Sequence, residues 1–523
     1  MGKDEFSDQS SVREAQAVVK TRFDWSEWFG GKNTVVGPRI APPIASVTVI
    51  SPDDSDSGLN NADVLLEKQL AEEAGNGIQY RTCSWQKTAA LLFSEYICLA
   101  IMSFPWSYSI LGLVPGVILT VVQAAIVLYT SLIVWKFCLR HPEVRDVCDV
   151  GQMLFWGKTW AWYFTAVIFI LNNTFIQGLH VLLGAKYVNT LIGGNTNAIA
   201  CQTVTIGLIV AILSWIASLP RTFNVLSRLG TASAFFTFIS VLLATIFSGI
   251  ESHPAGYSAV PLANPTAAWG APLVTAIPLP STTFVSGLNA FLNISYTLIG
   301  QITLPSFIAE MKEPKDFPKA LWACTVAETI IFSLVGAVIY RFTGNQYMTA
   351  PAFGSLQETY KKVAFSFMIP TIIFLGVLYA SVSARFVFFR IFQNSRHKTE
   401  NTLIGWGTWA GLLFITWVLA WVIANSIPFF SSLLSLLSSL FDSFFGFIFW
   451  GVAYFRMRKA DGVPTLFKER TFRGIFEGLI NVFLIIAGIF ILTVGTYATV
   501  QEIINEYAAN EVGGAFSCAS NGL

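Results

Sequence analysis

The sequence is short of charge: only 12% of its 523 residues are Asp, Glu, Lys or Arg, about half the share of an average soluble protein. Histidine is scarce as well, with four in the chain. The seven cysteines form no CxxC pair and no Cys/His cluster at zinc spacing. No GxxxxGKS or GxxxxGKT loop is present to cradle phosphates, and neither GxSxG nor HExxH occurs. The chain is therefore read as neither an ATP-driven pump nor an enzyme, with no cofactor and no metal. A formal net charge of +1 leaves no basic footprint for nucleic acid. The N-terminus has no basic start followed by an apolar core, so no cleaved secretory signal is expected.

What remains is apolar. Hydrophobic residues make up 54% of the chain, and after about residue 88 they gather in runs of twenty or more. Each run can cross a ~30 Å hydrocarbon core. Eleven spans are expected, at roughly 88–111, 113–137, 159–189, 200–219, 229–250, 283–309, 319–341, 363–391, 402–424, 428–455 and 474–504. The fold class is an all-α polytopic membrane protein: a transporter domain over 87–505, preceded by a tail over 1–86 and followed by one over 506–523. The first tail is acidic, with eight Lys/Arg against thirteen Asp/Glu. Such a composition is expected to stay mostly disordered, apart from one short amphipathic helix in "DVLLEKQLAEE", 63–73. Loops after the even-numbered spans carry eighteen Lys/Arg and the opposite ones four. That bias puts the N-terminus in the cytosol and the C-terminus outside it. The loop at 251–280 has six prolines and no charge after Glu251, and reads as a packed cap.

Two spans are spoiled in the middle. "SFPWSYSILG", 103–112, places Pro105 among serines; "SYTLIGQITLP", 295–305, places Gly300, Gln301 and Pro305 in the sixth span. A proline inside a helix removes one hydrogen bond and clashes with the preceding turn. In lipid such a break is tolerated only where it is buried in protein or lines a cavity. Each break opens a block of five spans, and five being odd, the blocks start on opposite sides of the membrane. That is the arithmetic of a 5+5 inverted repeat with discontinuous helices 1 and 6, a pattern that marks transporter binding sites. Half-helix ends offer N–H groups to a carboxylate and carbonyls to an ammonium. A zwitterionic amino acid is thus expected on Ala100, Ile101, Met102, Ser103, Phe104 and Trp106 of one break and Tyr296, Thr297, Gly300 and Gln301 of the other. Asn173 and Gln177 line it from span three.

Ionisable groups at mid-membrane are functional candidates by default. Glu95 is a gate partner or a proton site. Arg385 either snorkels to the interface or pairs with Glu95. Glu328 and Asp442 can each carry a proton. His180 faces the pocket or the outer vestibule. Ser381 and Ser383 would hold a sodium ion if sodium were the coupling ion.

The stretch "YTLIGQITLPSFIAEMKEPKDFPKAL", 296–321, with "SFPWSYSILGLVPG", 103–116, resembles the amino acid/auxin permease family, within the wider LeuT-type group. Its similarity is highest to fungal neutral amino acid permeases. The resemblance implies a secondary active symporter of neutral aliphatic and aromatic amino acids, with protons favoured over sodium as the coupling ion; the plasma membrane is favoured over the vacuolar one, though the sequence does not fix which. The family often carries Gly-Gly-His at the second break, where this chain has Ile299, Gly300 and Gln301. An amino acid sensor with little transport is the rival, favoured by the long tail; ubiquitin ligases and kinases are the alternative partners of that tail. Cys201 and Cys518 are the two cysteines expected on the oxidising side, and form a candidate disulfide.

Overall fold

The computed structural model describes residues 26–31, 34–40, 83–144, 146–193, 201–221, 223–261, 268–392, 395–398, 402–462, 471–509 and 514–523. The expected helix at 63–73 lies outside them. Fifteen helices matter here: α1 Trp85–Tyr96, α2 Phe104–Leu111, α3 Leu113–Arg140, α4 Val147–Leu154, α5 Thr159–Ile192, α6 Gln202–Ser218, α7 Phe223–Ile250, α8 Phe284–Leu298, α9 Leu304–Ala309, α10 Phe317–Thr343, α11 Glu358–Ser366, α12 Ile369–Ile391, α13 Leu403–Ser426, α14 Phe430–Ala460 and α15 Phe472–Ala508. The only ladder contact among the described residues is an isolated parallel bridge between Cys83 and Met311. The chain is an all-α, multi-pass membrane protein. Among the described residues eight helices are long and apolar enough to cross a bilayer alone, and the bent pair α1/α2 makes nine. Helix α6, with 17 residues, and α8 and α9, with 15 and 6, each fall below that length.

Helix is forced by the solvent: in hydrocarbon each backbone group must be satisfied within its own segment. Local signals set the ends. Ser84 caps α1, Thr283 caps α8 through Ser286 N–H, and Thr402 caps α13 through Gly405 N–H. Gly112, at φ 80°, makes the one-residue turn between α2 and α3, where a side chain would strike the backbone of Ile277. That contact belongs to the proline-rich loop, which docks through Leu113 N–H to Thr275 O (3.0 Å) and Asn345 N–H to Leu273 O (2.8 Å).

The breaks sit a few residues from where the prolines alone would put them. The first occupies 97–103, where Ile97 and Cys98 leave helical geometry and a 3-10 turn runs Leu99–Ser103. The second occupies 299–303. Pro105 and Pro305 are both second residues of the helices that follow. A first-turn N–H has no partner within the helix, so proline restarts a helix there rather than ending one. For the same reason the eighth span begins at Ile369 with Pro370 in its first turn, and residues 363–366 belong to the separate α11.

At one end of the bundle, a strap formed by residues 28–31 and 34–40 crosses the helix ends. Trp322 Nε1 donates to Trp28 O (3.0 Å) and its ring stacks on Phe29. Gly31 N–H donates to Lys315 O at 2.9 Å. Arg39 forms an ion pair with the fully buried Glu143. Arg140 holds Asp461 of the loop after α14 with two hydrogen bonds of 2.9 Å.

At the other end Cys201 and Cys518 are joined by a disulfide across 317 residues of sequence. The C-terminal segment then threads between helix ends: Gln202 N–H to Cys518 O (3.1 Å), Phe516 N–H to Asn425 O (3.0 Å), Asn189 Nδ2 to Asn521 Oδ1 (2.6 Å) and Lys186 Nζ to Asn521 O (3.3 Å). A closed loop of this length is worth up to roughly 5 kcal/mol of chain entropy in water, less where a bilayer already restrains the unfolded chain. Cys201→Ser is expected to lower the melting temperature of purified protein by several degrees. Labelling with a membrane-impermeant maleimide should find both thiols only after reduction; reaction beforehand would refute the bond.

Candidate functional site

The two breaks meet in the centre of the bundle. Residues Leu99 to Phe104 are all 2% exposed or less. Gly300 lies against the hydroxyl edge of the Tyr96 ring, so closely that a Cβ there would collide with it. Ser103 Oγ donates to Ala100 O (2.7 Å), and Thr303 Oγ1 donates to Gly300 O (2.9 Å), so each break closes part of its own backbone. Phe104 packs on Phe332 of α10, ring centres 5.2 Å apart, which anchors the start of α2.

Glu95, in the last turn of α1, ties three elements. Its carboxylate accepts from Thr303 Oγ1 in the second break (3.2 Å) and from Tyr379 OH of α12 (3.4 Å). Arg385 does not reach it: the guanidinium donates to Arg221 O (3.0 Å) and lies over the Phe389 ring. The cation is drawn to the helix-end carbonyl and ring at the bundle's edge, leaving Glu95 to hydroxyl donors. Glu328 of α10 is buried, with its Oε1 lacking a hydrogen-bond partner among the described residues. It is close enough to Glu95 to feel that group's charge.

The other expected site residues divide. Ala100, Ile101, Met102, Ser103 and Phe104 line the first break, with Trp106 half-buried one turn on. Tyr296 and Thr297 end α8 ahead of the second break, and Thr297 Oγ1 is spent on Asn293 O (3.0 Å). Gln301 is turned toward α3, donating to Thr130 Oγ1 (2.8 Å), so its amide nitrogen fastens the break to its neighbour. Asn173 Nδ2 donates to Ser383 Oγ (3.0 Å), tying α5 to α12. Gln177, one turn on, is fully buried with both amide atoms unpartnered among the described residues, and so is Ser381 Oγ. His180 packs against Gly376 of α12. Such orphaned polar atoms cost about 1–3 kcal/mol each when nothing meets them, and they mark where ligand groups or water belong.

Sequence reasoning missed Tyr96, Tyr379 and Thr303, which set the contacts of Glu95 and Gly300. Tyrosines in apolar helices carry no spacing signal. Thr303 was within reach, as the polar residue between Gly300 and Pro305.

Residues 81–501 match the family described as transmembrane amino acid transporter protein. The N amino acid transport system protein of Neurospora crassa is 31% identical over 456 residues, 87% of this chain and 92% of that protein. A transmembrane transporter of Gibberella moniliformis is 29% identical over 458 residues, covering 87% and 91%. Among solved structures, MhsT in complex with L-phenylalanine aligns at a TM-score of 0.47 and 11% identity, over 82% of this chain and 99% of that one.

Proposed function

Because the chain belongs to the transmembrane amino acid transporter family, we propose that it is a proton-coupled symporter of neutral aliphatic and aromatic amino acids that works by alternating access. The observation that carries this reading is the meeting of two broken helices in a buried centre, Tyr96 on Gly300. A free amino acid brings a carboxylate and an ammonium, and backbone at half-helix ends can take both without a charged side chain. The flanking Ile101, Met102, Phe104, Trp106 and Tyr296 give an apolar and aromatic wall, which suits uncharged side chains. Glu95 is assigned the gate: its bonds to Thr303 and Tyr379 join the breaks to α12. Glu328 Oε1, buried and unpartnered, is the oxygen assigned to the coupled proton. The N-terminal strap is assigned to the cytosolic face at the plasma membrane, and the disulfide end to the outside. The Cys201–Cys518 bond at the end poor in Lys/Arg supports that orientation, since disulfides persist in oxidising compartments.

The test is uptake of labelled leucine into proteoliposomes. One charge moving down about 100 mV supplies ~2.3 kcal/mol, enough for roughly 40-fold accumulation. External acidification should raise uptake, and choline in place of sodium should leave it standing. Glu328→Gln should lose acid-driven accumulation while keeping leucine exchange. Strict sodium dependence would transfer the coupling to Ser381 and Ser383. Binding without flux would favour a sensor.

A further inference from the structure

Asp442 takes no part in the contacts described so far. It lies in α14 within a stretch of widened, π-type turns, Ser438–Ile448. Such turns recur at functional sites because they displace a side chain from its regular helical position. The residue is 8% exposed, and its Oδ2 is buried without a hydrogen-bond partner among the described residues. Ser438, four residues earlier, is fully buried, and its Oγ stands beside the Asp442 carboxyl without reaching good hydrogen-bond geometry to any group among the described residues. No ion pair to Asp442 exists among the described residues.

Its place in the fold is fixed from two sides. Gly446, four residues on, packs directly on the side chain of Ile299, the first residue of the second break. Phe441 lies edge-on to Phe175 of α5, ring centres 5.7 Å apart. Tyr296, at the end of α8, is close enough to Asp442 for the carboxylate's charge to act on its hydroxyl. The carboxylate thus stands in an aromatic wall at the depth of the substrate site. Other titratable groups on the neighbouring helices point elsewhere: His180 toward α12, and Glu506 and Glu477 of α15 to Ser432 and Tyr454, each about three turns away along α14.

We propose that Asp442 and Ser438 form a subsite for the cationic side chain of a basic amino acid, the ammonium of lysine being the type case. The inference rests on the transport reading above and extends its substrate range. A buried carboxylate oxygen with no donor is expensive, and a cation with N–H groups supplies what is missing. Two side-chain oxygens are too few to replace the water shell of a hard metal cation, whereas an ammonium can donate to both Oδ2 and Oγ. The substrate's backbone would remain on the breaks, with its side chain running along Tyr296 toward α14.

The test compares lysine with norleucine, a neutral straight-chain analogue lacking the ammonium. Both are used to displace labelled leucine from the purified full-length protein. Lysine should compete in the wild type. Asp442→Asn should weaken lysine by about tenfold or more, the worth of one charge-assisted hydrogen bond, with norleucine held within about twofold. Ser438→Ala should weaken lysine in the same direction by less. Failure of lysine to compete in the wild type overturns the subsite, whether or not the Asn variant folds. So does an equal loss of both ligands, which is a packing role, or a loss confined to acid stimulation, which is a proton site. If norleucine does not bind either, the transport reading has failed first.

Discussion

Gly300→Val abolishes transport: uptake falls by about two orders of magnitude or more, the cost of misplacing a substrate by about an ångström, while the protein still reaches the membrane. Gly300 sits where the backbone of the second break touches the Tyr96 ring, and any Cβ overlaps the hydroxyl edge of that ring. Tyr96 is 8% exposed and cannot swing into solvent. The added atoms must push the two breaks apart, which also pulls Thr303 from Glu95. Gly300→Ala should show a smaller loss of the same kind, and Tyr96→Leu should recover part of it by trimming the ring edge. Uptake kinetics and surface abundance check the series. Wild-type kinetics in Gly300→Ala would refute the contact as a determinant of function.

Arg39→Ala destabilises the protein by about 3 kcal/mol, the low end for breaking a buried pair by removing one partner. Side-chain exposure is 7% for Arg39 and 0% for Glu143. His141 adds a third member: its Nε2 accepts from Ile40 N–H (3.1 Å), so the ring hydrogen is on Nδ1, which faces Glu143 Oε1 at 3.3 Å. Arg39→Lys should recover only part, because an ammonium cannot reproduce the guanidinium fork. Burial holds His141 below its usual 6.5. Burial alone would raise Glu143, but the His141 hydrogen bond and charge, with Arg39, outweigh it and take the carboxyl below its usual 4.5. Both shifts act in one direction. As pH falls below 6.5 the unfolded chain binds a proton at this histidine before the folded protein does, and below 4.5 the same holds for the carboxyl, so stability declines with acid in two stages. Thermal unfolding of purified protein from pH 8 to pH 4 reads this out. In Arg39→Ala the second, carboxyl stage should shrink. An unchanged profile in that variant would remove the strap from the account.

Much of this was legible in the chain. Pro105 and Pro305 announced both breaks because proline's missing N–H acts in any sequence context. Their positions were displaced because the same chemistry that damages a helix interior suits a first turn, and sequence alone does not say which turn a proline will occupy. Runs of apolar residues marked, for a similarly local reason, the eight long helices and the bent pair found among the described residues, against the eleven spans expected. The partners of Glu95, Gln301 and Asn173 were not legible. They depend on which helix faces which, over separations of 208, 171 and 210 residues, and a hydroxyl or amide in an apolar helix carries no mark of its future neighbour. The strap was hidden for the opposite reason: residues 28–31 and 34–40 have the composition of a tail, and only their contacts with Trp322 and Glu143 hold them to the bundle.

The knot at the disulfide end limits how the molecule can move. The C-terminal segment is fastened to α5 through Lys186 and Asn189, to α6 through Cys201 and Gln202, and to α13 through Asn425. Those three helices are stitched at one edge, and the Asn173–Ser383 bond adds α12 deeper in the bundle. Among the described residues these contacts tie the four helices into one group. The broken helices α1, α2, α8 and α9 form another, joined to one another through Tyr96 on Gly300 and Thr303 on Glu95. The two groups are linked directly by the hydrogen bond of Tyr379 OH to Glu95, which at 3.4 Å is weak. A hinge closed by a weak bond is one that thermal energy can open at each turnover.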